Sequence, residues 1–301
     1  MKIANINLSA FCQKMRVLGI LLVLLIASTN LLAGESFSVE VRGKGQPIVL
    51  IPGLMSNGEI WIDISDELSK TNEVHIVSIA GFAGTPSIND QSLSRVKAEL
   101  LTYIRHNQLD KPTIIGHSLG GFMAFWLASS SPETIGKIIS VDGLPFVGPI
   151  FTRSNDSSVE SLAPQADMIR SMYSKLSKKQ LAAQTEQGIF IQATSKENQS
   201  KIIEMAAQSD PTTTGNMISQ LLSTDLRNEI AKIRSAILLI GASGAFTTTE
   251  QHRNVESLYR QQLSKAANIK LVMNTNDRHF IMLDNPKWLL SQIQTFLSEA
   301  N

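Results

Sequence analysis

The 301-residue sequence is poor in cysteine and has no excess of either charge. Cys12 is its single cysteine, which excludes an intrachain disulfide and a zinc site built on several cysteines. It has 27 basic and 26 acidic residues, so the excess of positive charge expected of a nucleic-acid-binding protein is missing. With 43% hydrophobic and 18% charged residues, the composition is that of a globular protein and excludes a collagen, a coiled coil or a polytopic membrane protein.

The apolar run near the N-terminus, residues 17–27, is short and follows Lys14 and Arg16. A bilayer span needs about 20 apolar residues, roughly twice this length. A basic start, a short apolar run and small residues near Ala33 are typical of a secretory signal peptide. We therefore predict a signal peptide over residues 1–33, a periplasmic or secreted protein, and no stable membrane insertion after cleavage. The alternative is an uncleaved membrane anchor formed by the same apolar run.

From residue 37 onward, short β-branched runs alternate with amphipathic stretches. Runs such as IVLI and AILLI are apolar throughout, which is typical of strands buried on both faces of a parallel sheet. This alternation predicts an α/β fold with a doubly wound, mostly parallel sheet. The predicted strands are residues 37–42, 48–51, 74–79, 113–116, 137–141, 236–240 and 269–273, and the predicted helices are residues 60–69, 93–107, 119–130, 250–264 and 286–297.

Residues 151–225 interrupt the alternation, because they contain helical periodicity and no convincing strand. A connection of this length far exceeds the roughly two to six residues of an ordinary αβ loop. We therefore predict a helical cap over residues 151–225, inserted into a core formed by residues 34–150 and 226–301.

The segment TIIGHSLGG, residues 113–121, places a G-x-S-x-G motif between a predicted strand and a predicted helix. This is the pattern of a nucleophile elbow, in which Ser118 occupies a strained turn. Gly116 and Gly120 then allow the strand and the helix to pass closely. The amide of Leu119, at the helix N-terminus, is placed to stabilise an oxyanion.

A serine nucleophile needs a base, and His279 is the best placed of the five histidines. It follows the last predicted strand, so its loop lies at the same carboxyl edge of the sheet as the elbow. The others are His75 within a strand, His106 at a helix end, His252 at a helix start, and His117, whose side chain should leave the turn in another direction.

The second oxyanion donor is expected in the loop after the strand that precedes the first core helix. That strand ends in Ile-Pro-Gly-Leu, residues 51–54, where Gly53 permits a tight turn. We predict the amide of Leu54 as the donor. An ordinary strand-ending Pro-Gly turn is the alternative.

These motifs resemble those of the lid-bearing α/β-hydrolase family of bacterial serine hydrolases, over residues 37–301. The matching segments are VLIPGL (49–54), AGFAGTP (80–86), GHSLGGF (116–122), VDGLPF (141–146), TDLR and AILLIGA (within 224–242) and RHFIMLDNP (278–286). The resemblance implies acyl transfer to water, in which Ser118 attacks a carbonyl, His279 relays the proton, and Leu54 and Leu119 hold the oxyanion. It implies no metal and no organic cofactor.

Two positions depart from the family pattern. Many members carry His-Gly where this chain has Pro52-Gly53, a mild departure because the donor is a backbone amide. The family most often places its catalytic aspartate three residues after the glycine that here is Gly241, and this chain has Gly244 at that position.

The carboxylate that orients His279 must therefore come from another position. Asp142 ends a predicted core strand and resembles an alternative acid position used by some family members, so it is our candidate. Glu250 remains the other possibility, although Thr247-Thr-Thr-Glu250 reads as a capping box at a helix start. The nearby acids Asp277 and Asp284 are less well placed, being two residues before His279 and at the start of the last helix.

The predicted substrate is a small to medium apolar ester, thioester or amide. A flexible apolar acyl pocket would be lined by Met168, Met172, Met205, Met217 and Ile191, although packing between cap and core explains these side chains equally well. The alternatives are a carbon–carbon bond hydrolase of the same fold and a catalytically inactive binding protein, which only Gly244 favours. Ser118 excludes a haloalkane dehalogenase, which needs a carboxylate nucleophile.

Overall fold

Seven strands form one sheet in the computed structural model of the chain, which describes residues 35–152, 154 and 156–299. The strands are β1 (Phe37–Gly43), β2 (Gln46–Ile51), β3 (Asn72–Ile79), β4 (Thr113–His117), β5 (Ile138–Val141), β6 (Ile237–Ala242) and β7 (Ile269–Asn274). Their order across the sheet is β1-β3-β2-β4-β5-β6-β7, and only the β1–β3 pair is antiparallel. The predicted doubly wound, mostly parallel sheet is confirmed.

The central strands β2, β4, β5 and β6 are almost entirely buried, as the unbroken apolar runs IVLI and AILLI predicted for β2 and β6. Helices cover both faces of a parallel sheet, so neither face of these strands meets water. On one face of the sheet, alternate side chains of these strands belong to a large core cluster that also contains Trp61, Phe280 and Phe296.

The helices within the described residues are α1 (Ile62–Leu68), α2 (Leu93–His106), α3 (Leu119–Ser130), α4 (Gly148–Thr152), α5 (Val159–Tyr173), α6 (Lys178–Gln187), α7 (Ile189–Gln192), α8 (Lys196–Gln208), α9 (Pro211–Leu222), α10 (Thr249–Gln262), α11 (Ile281–Asp284) and α12 (Pro286–Ser298). Short 3₁₀ helices at Gly58–Trp61 and Glu229–Lys232 precede α1 and β6. The sequence predicted the core helices but not α11, whose four residues are too few to show a helical period.

Between β5 and β6 the described chain forms helices α4 to α9, which we call the insert (residues 148–222). Its longer helices begin at side-chain caps: Ser158, Ser177, Ser195 and Asp210 each accept a hydrogen bond from the amide three residues later. Helices α5 and α9 pack against Phe146 through Leu162, Ile169 and Leu222. The insert begins three residues before the predicted boundary at residue 151.

The predicted signal peptide, residues 1–33, lies outside the described residues. Among the helices of residues 35–299 that the structure describes, none has both the length and the apolar character needed to cross a membrane.

Candidate active site

The predicted site residues follow strands that end at the same edge of the sheet. Leu54 follows β2, Ser118 follows β4, Asp142 follows β5 and His279 follows β7. Strand β3 lies on one side of β2 and β4 on the other, so the winding of the sheet reverses between β2 and β4. The crevice at such a reversal is where open α/β sheets bind their ligands.

Ser118 occupies the turn between β4 and α3 with φ 52° and ψ −112°. Few non-glycine residues adopt a positive φ, and such strain persists only where the surrounding structure imposes it. A Cβ on Gly116 would lie 2.0 Å from the Gly120 carbonyl oxygen, and one on Gly120 would lie 2.2 Å from that of Ile51. The close approach of strand and helix inferred from these two glycines is confirmed.

His279 and Asp142 form a close pair, with 2.5 Å between Nδ1 of the ring and Oδ2 of the carboxylate. A carboxylate only accepts, so Nδ1 carries the proton and the lone pair of the neutral ring lies on Nε2. His279 and Ser118 line the same cavity, without a hydrogen bond between the two side chains. Catalytic hydrogen bonds are often long in free enzymes and shorten when substrate binds.

The second oxygen of Asp142 accepts two hydrogen bonds, from donors that the sequence did not indicate. Oδ1 accepts hydrogen bonds from the Ala242 amide and from the Tyr259 hydroxyl, both at 2.6 Å. Burial, reinforced by the neighbouring Asp142, holds the pKa of Tyr259 well above its usual value, so the hydroxyl keeps its proton and donates it. The helical period of α10 indicates that Tyr259 is buried, but nothing in the sequence identifies its partner.

We expect Tyr259→Phe to lower kcat about tenfold and leave KM nearly unchanged. A hydrogen bond to a charged group contributes about 1.5–3 kcal/mol. The bond from Tyr259 orients Asp142, whereas Tyr259 itself does not line the cavity. Steady-state kinetics on an activated ester measure both constants. Tyr103→Phe is the matched control, because Tyr103 is also buried and its hydroxyl bonds His75, which does not line the cavity. Wild-type kcat in Tyr259→Phe would show that this hydroxyl has no positioning role.

The structure excludes an acid at Gly244, the position most often used in the family. A Cβ there would lie 2.4 Å from the carbonyl oxygen of Asn276 and 2.5 Å from that of Asp277. No side chain fits between these backbone atoms. The loop after β6 therefore lacks an acid for steric reasons, while the end of β5 presents Asp142 to the histidine.

The capping box predicted at Thr247 and Glu250 is wrong by one residue. Thr248 is the N-cap of α10, and it exchanges side-chain and backbone hydrogen bonds with Gln251. The run of three threonines left this register undetermined from the sequence, and in the structure the middle threonine is the cap. Glu250 lies exposed in the first turn and forms no hydrogen bond with His279.

His117 is fully buried beside the pair formed by His279 and Asp142, with its ring centre 4.5 Å from that of His279. Its Nε2 lies 3.1 Å from the carbonyl oxygen of His279, so Nε2 carries the proton and Nδ1 is an acceptor. Burial, together with the nearby His279, holds the pKa of His117 well below its usual value. The neutral ring therefore braces the backbone of the candidate base, a contact that the sequence did not indicate.

The two predicted oxyanion donors are Leu54, in the loop after β2, and Leu119, the first residue of α3. Within the described residues, neither the Leu54 amide nor the Leu119 amide donates a hydrogen bond. A Cβ on Gly53 would lie 2.7 Å from Nδ1 of His117 and 3.3 Å from Cβ of Ser118, so the loop after β2 runs directly beside the serine. This placement requires glycine at position 53 and a positive φ of 56° at Met55.

A cavity of about 280 Å³ opens beside Ser118 and His279. The core contributes apolar walls from Leu54, Met55 and Phe280. The insert contributes Ile202 and a largely polar set of side chains, namely Tyr173, Gln184, Thr185 and Gln192, together with Gly188. None of the lining side chains that the structure describes is an aspartate, glutamate, lysine or arginine. The cavity wall is therefore polar on the side of the insert and carries none of these four charged side chains among the described residues.

The expected acyl pocket lined by methionines is wrong, since none of the five predicted side chains lines this cavity. Met205 and Met217 are buried in packing, whereas Met168, Met172 and Ile191 are exposed at the surface. Apolar character on a helix indicates which residues avoid water, but it does not distinguish a core from a pocket.

The insert holds the loop that carries His279. The amides of His279 and Phe280 donate to the carbonyls of Ile191 and Gln192, at 3.3 and 2.8 Å, and Arg278 donates to the carbonyl of Ala193 at 2.9 Å. These carbonyls belong to the C-terminal end of α7 and the residue that follows it. The position of the candidate base is thus coupled to the insert as well as to the sheet.

The remaining candidate residues have structural partners. His75 is buried between Tyr103 and Glu73, His252 bonds Ser243, and His106 is exposed at the end of α2. Asp277 accepts from Asn274, and Asp284 accepts from Thr194 and Asn198. Within the described ranges, no group of three or more histidine, cysteine, aspartate or glutamate residues is arranged to hold a metal ion.

A family described as having the α/β-hydrolase fold matches residues 46–195, about half of the chain, including Leu54, Ser118 and Asp142. The chain belongs to the α/β-hydrolase fold family. The resemblance inferred from the sequence motifs is thereby confirmed.

Curated relatives of the chain include pimeloyl-[acyl-carrier protein] methyl ester esterases. The one from Aeromonas salmonicida is 32% identical over 112 residues, which cover 36% of this chain and 42% of that protein. The one from Vibrio cholerae is 29% identical over 106 residues, covering 35% of this chain and 40% of that protein. The match thus spans about two fifths of the length of these relatives.

Solved structures support the fold over most of the chain. A hydrolase from Pseudomonas aeruginosa superimposes with a TM-score of 0.73 at 17% identity, covering 91% of this chain and all of that one (100%). A thermophilic esterase from Thermogutta terrifontis superimposes with a TM-score of 0.70 at 16% identity, covering 87% of this chain and 92% of that one. At this identity the similarity establishes the fold alone.

Proposed function

We propose that the chain is a serine hydrolase that cleaves a small to medium carboxylic ester, thioester or amide through an acyl-enzyme on Ser118. The observation that carries the proposal is the 2.5 Å contact between Asp142 and His279, on a cavity that Ser118 also lines. The elbow, the base and the acid come from three separate strand ends. A scaffold that served only for binding would have no physical need to bring them together.

In the proposed reaction, the Ser118 hydroxyl attacks the carbonyl carbon while Nε2 of His279 accepts its proton. Asp142 stabilises the imidazolium that forms and holds the ring in the productive tautomer. The amides of Leu54 and Leu119 donate to the oxyanion of the tetrahedral intermediate. Collapse of the intermediate transfers the proton from His279 to the leaving group, and water then cleaves the acyl-enzyme by the same route.

The cavity suggests a small, neutral substrate group. Its volume of about 280 Å³ is close to the lower limit of roughly 300 Å³ for drug-sized ligand sites. A charged group buried there would find no opposite charge among the lining side chains described above, which makes its burial costly. From the curated relatives we carry over the ester bond alone, because the match covers about two fifths of their length.

Labelling with a fluorophosphonate probe tests the proposal, because only an activated serine reacts with it. We expect one label per chain and turnover of p-nitrophenyl esters that is highest for short acyl groups. Labelling without ester turnover would favour the carbon–carbon bond hydrolase instead. Absence of both labelling and turnover in folded protein would indicate a binding protein.

We also propose that the protein is exported, on the basis of the basic and apolar pattern of residues 14–27. When the chain is produced with its own leader, N-terminal sequencing should then give a mature protein that begins near Gly34. Intact protein recovered from the membrane fraction and beginning at Met1 or Lys2 would contradict cleavage and support the membrane anchor.

A further inference from the structure

Gln184 lies on the inner face of α6, where it lines the cavity beside the candidate active site. Leu181, one turn earlier on the same face, is buried. Gln187, one turn later and also on α6, is exposed to solvent. The helix therefore turns one glutamine toward the cavity and another toward water, which provides a matched pair of positions.

The side-chain amide of Gln184 makes no hydrogen bond with any described residue, and its Oε1 is buried. Buried polar atoms in folded proteins nearly always have a partner, so an unpaired amide on the wall of a cavity requires an explanation. A leucine of similar size would pack there without leaving a polar atom unpaired. The amide is therefore suited to pairing with a group on a bound ligand.

The chemistry of that group follows from the rest of the cavity wall. No charged side chain among the described lining residues would balance an ammonium or a carboxylate, so the group is neutral. The oxygen and nitrogen of a glutamine amide are assigned rather than observed, and either one can face a ligand after rotation of the side chain. A hydroxyl both donates and accepts, so it pairs with the amide in either orientation.

His117 also borders this cavity, but its side chain is fully buried. Its Nε2 bonds the carbonyl of His279, and its Nδ1 faces Gly53, where a Cβ would lie 2.7 Å away. This nitrogen is therefore closed to a ligand, and the preference for a hydroxyl rests on Gln184.

We propose that Gln184 recognises a hydroxyl group on the substrate, so that the preferred esters are neutral and hydroxylated close to the scissile bond. This inference rests on the proposed function and specifies its substrate class. It assigns Gln184 to specificity and not to bond cleavage, since the residue lies on the insert and outside the Ser118, His279 and Asp142 group.

The test compares matched esters with and without a hydroxyl. One pair, p-nitrophenyl butyrate and p-nitrophenyl 3-hydroxybutyrate, differs in the acyl group, and a second pair, propyl butyrate and glycerol monobutyrate, differs in the alcohol. Ratios of kcat/KM are corrected for the rates of alkaline hydrolysis of the same esters. We expect wild-type protein to favour the hydroxylated member of at least one pair about tenfold or more, as expected when the analogue leaves a polar group of the site unpaired.

Gln184→Leu should abolish this preference, so that the ratio of kcat/KM between the hydroxylated and the plain member of the pair falls to about one. Gln187→Leu is the matched control, because it makes the same change at an exposed position, the last residue of α6, and should keep the preference. If Gln184→Leu does not fold, Gln184→Met serves as the second variant.

Two results distinguish this inference from the proposed function on which it rests. Labelled, active protein that shows no preference in either pair, or a preference that survives in both Gln184 variants, overturns the role of Gln184 and leaves the hydrolase intact. Protein that neither reacts with the probe nor cleaves any ester contradicts the proposed function itself.

Discussion

Ser118→Ala should lower kcat for ester hydrolysis on the order of 10⁴- to 10⁶-fold and abolish labelling by a fluorophosphonate. The alanine removes the attacking oxygen. No other described serine that lines the cavity has a positive φ like that of Ser118. The fold should persist, because the Ser118 hydroxyl makes no hydrogen bond with the described residues. Circular dichroism and thermal unfolding check the fold, and burst kinetics with p-nitrophenyl esters measure the loss.

Ser130→Ala is the matched control for this experiment. Ser130 ends α3, the same helix that Ser118 precedes, but it is exposed at the far end. We expect this variant to retain wild-type turnover and labelling. A tenth or more of wild-type activity in folded Ser118→Ala protein would show that the nucleophile is another residue.

The second large effect is expected for Asp142→Asn, with a loss of kcat of about 10⁴-fold at neutral pH. The asparagine amide can donate to Nδ1 of His279, which favours the tautomer with the proton on Nε2. That nitrogen then cannot accept the proton of Ser118. The Ala242 amide and the Tyr259 hydroxyl still have an oxygen to bind, so little thermal stability should be lost.

Glu250→Gln is the control for the acid, since Glu250 is the other carboxylate that the sequence left open. Its position in the first turn of α10 predicts only a loss of favourable interaction with the helix dipole, about 1 kcal/mol or less in the free energy of unfolding. We expect its kcat to remain at the wild-type level. An active Asp142→Asn variant together with an inactive Glu250→Gln variant would assign the acid to Glu250.

Much of the core could be predicted from the sequence because its signals are local. Strands β2, β4, β5 and β6 are short, mostly apolar runs, and each lies within two residues of its predicted bounds. The elbow was readable because the glycines around Ser118 are imposed by neighbouring backbone atoms, at the contacts now seen for Gly116 and Gly120.

The helices of the insert could be predicted from the sequence, but their contacts could not. Amphipathic period shows that a helix has a buried face, but it does not show what that face contacts. Met205 and Met217 pack into cores, while Tyr173 and Gln184, which no motif distinguishes, line the cavity. The contacts of α7 with the His279 loop join residues that are almost 90 positions apart in the chain, and no local pattern records them.

By itself the sequence determined the α/β fold, the elbow at Ser118 and the loop of His279, because each depends on neighbours within a few residues along the chain. The tertiary structure decided how these parts meet. It brings Asp142 to His279, leaves no space for a side chain at Gly244, and places the Tyr259 hydroxyl on the acid. These outcomes depend on distances between separate strands and helices, which only packing of the whole chain sets.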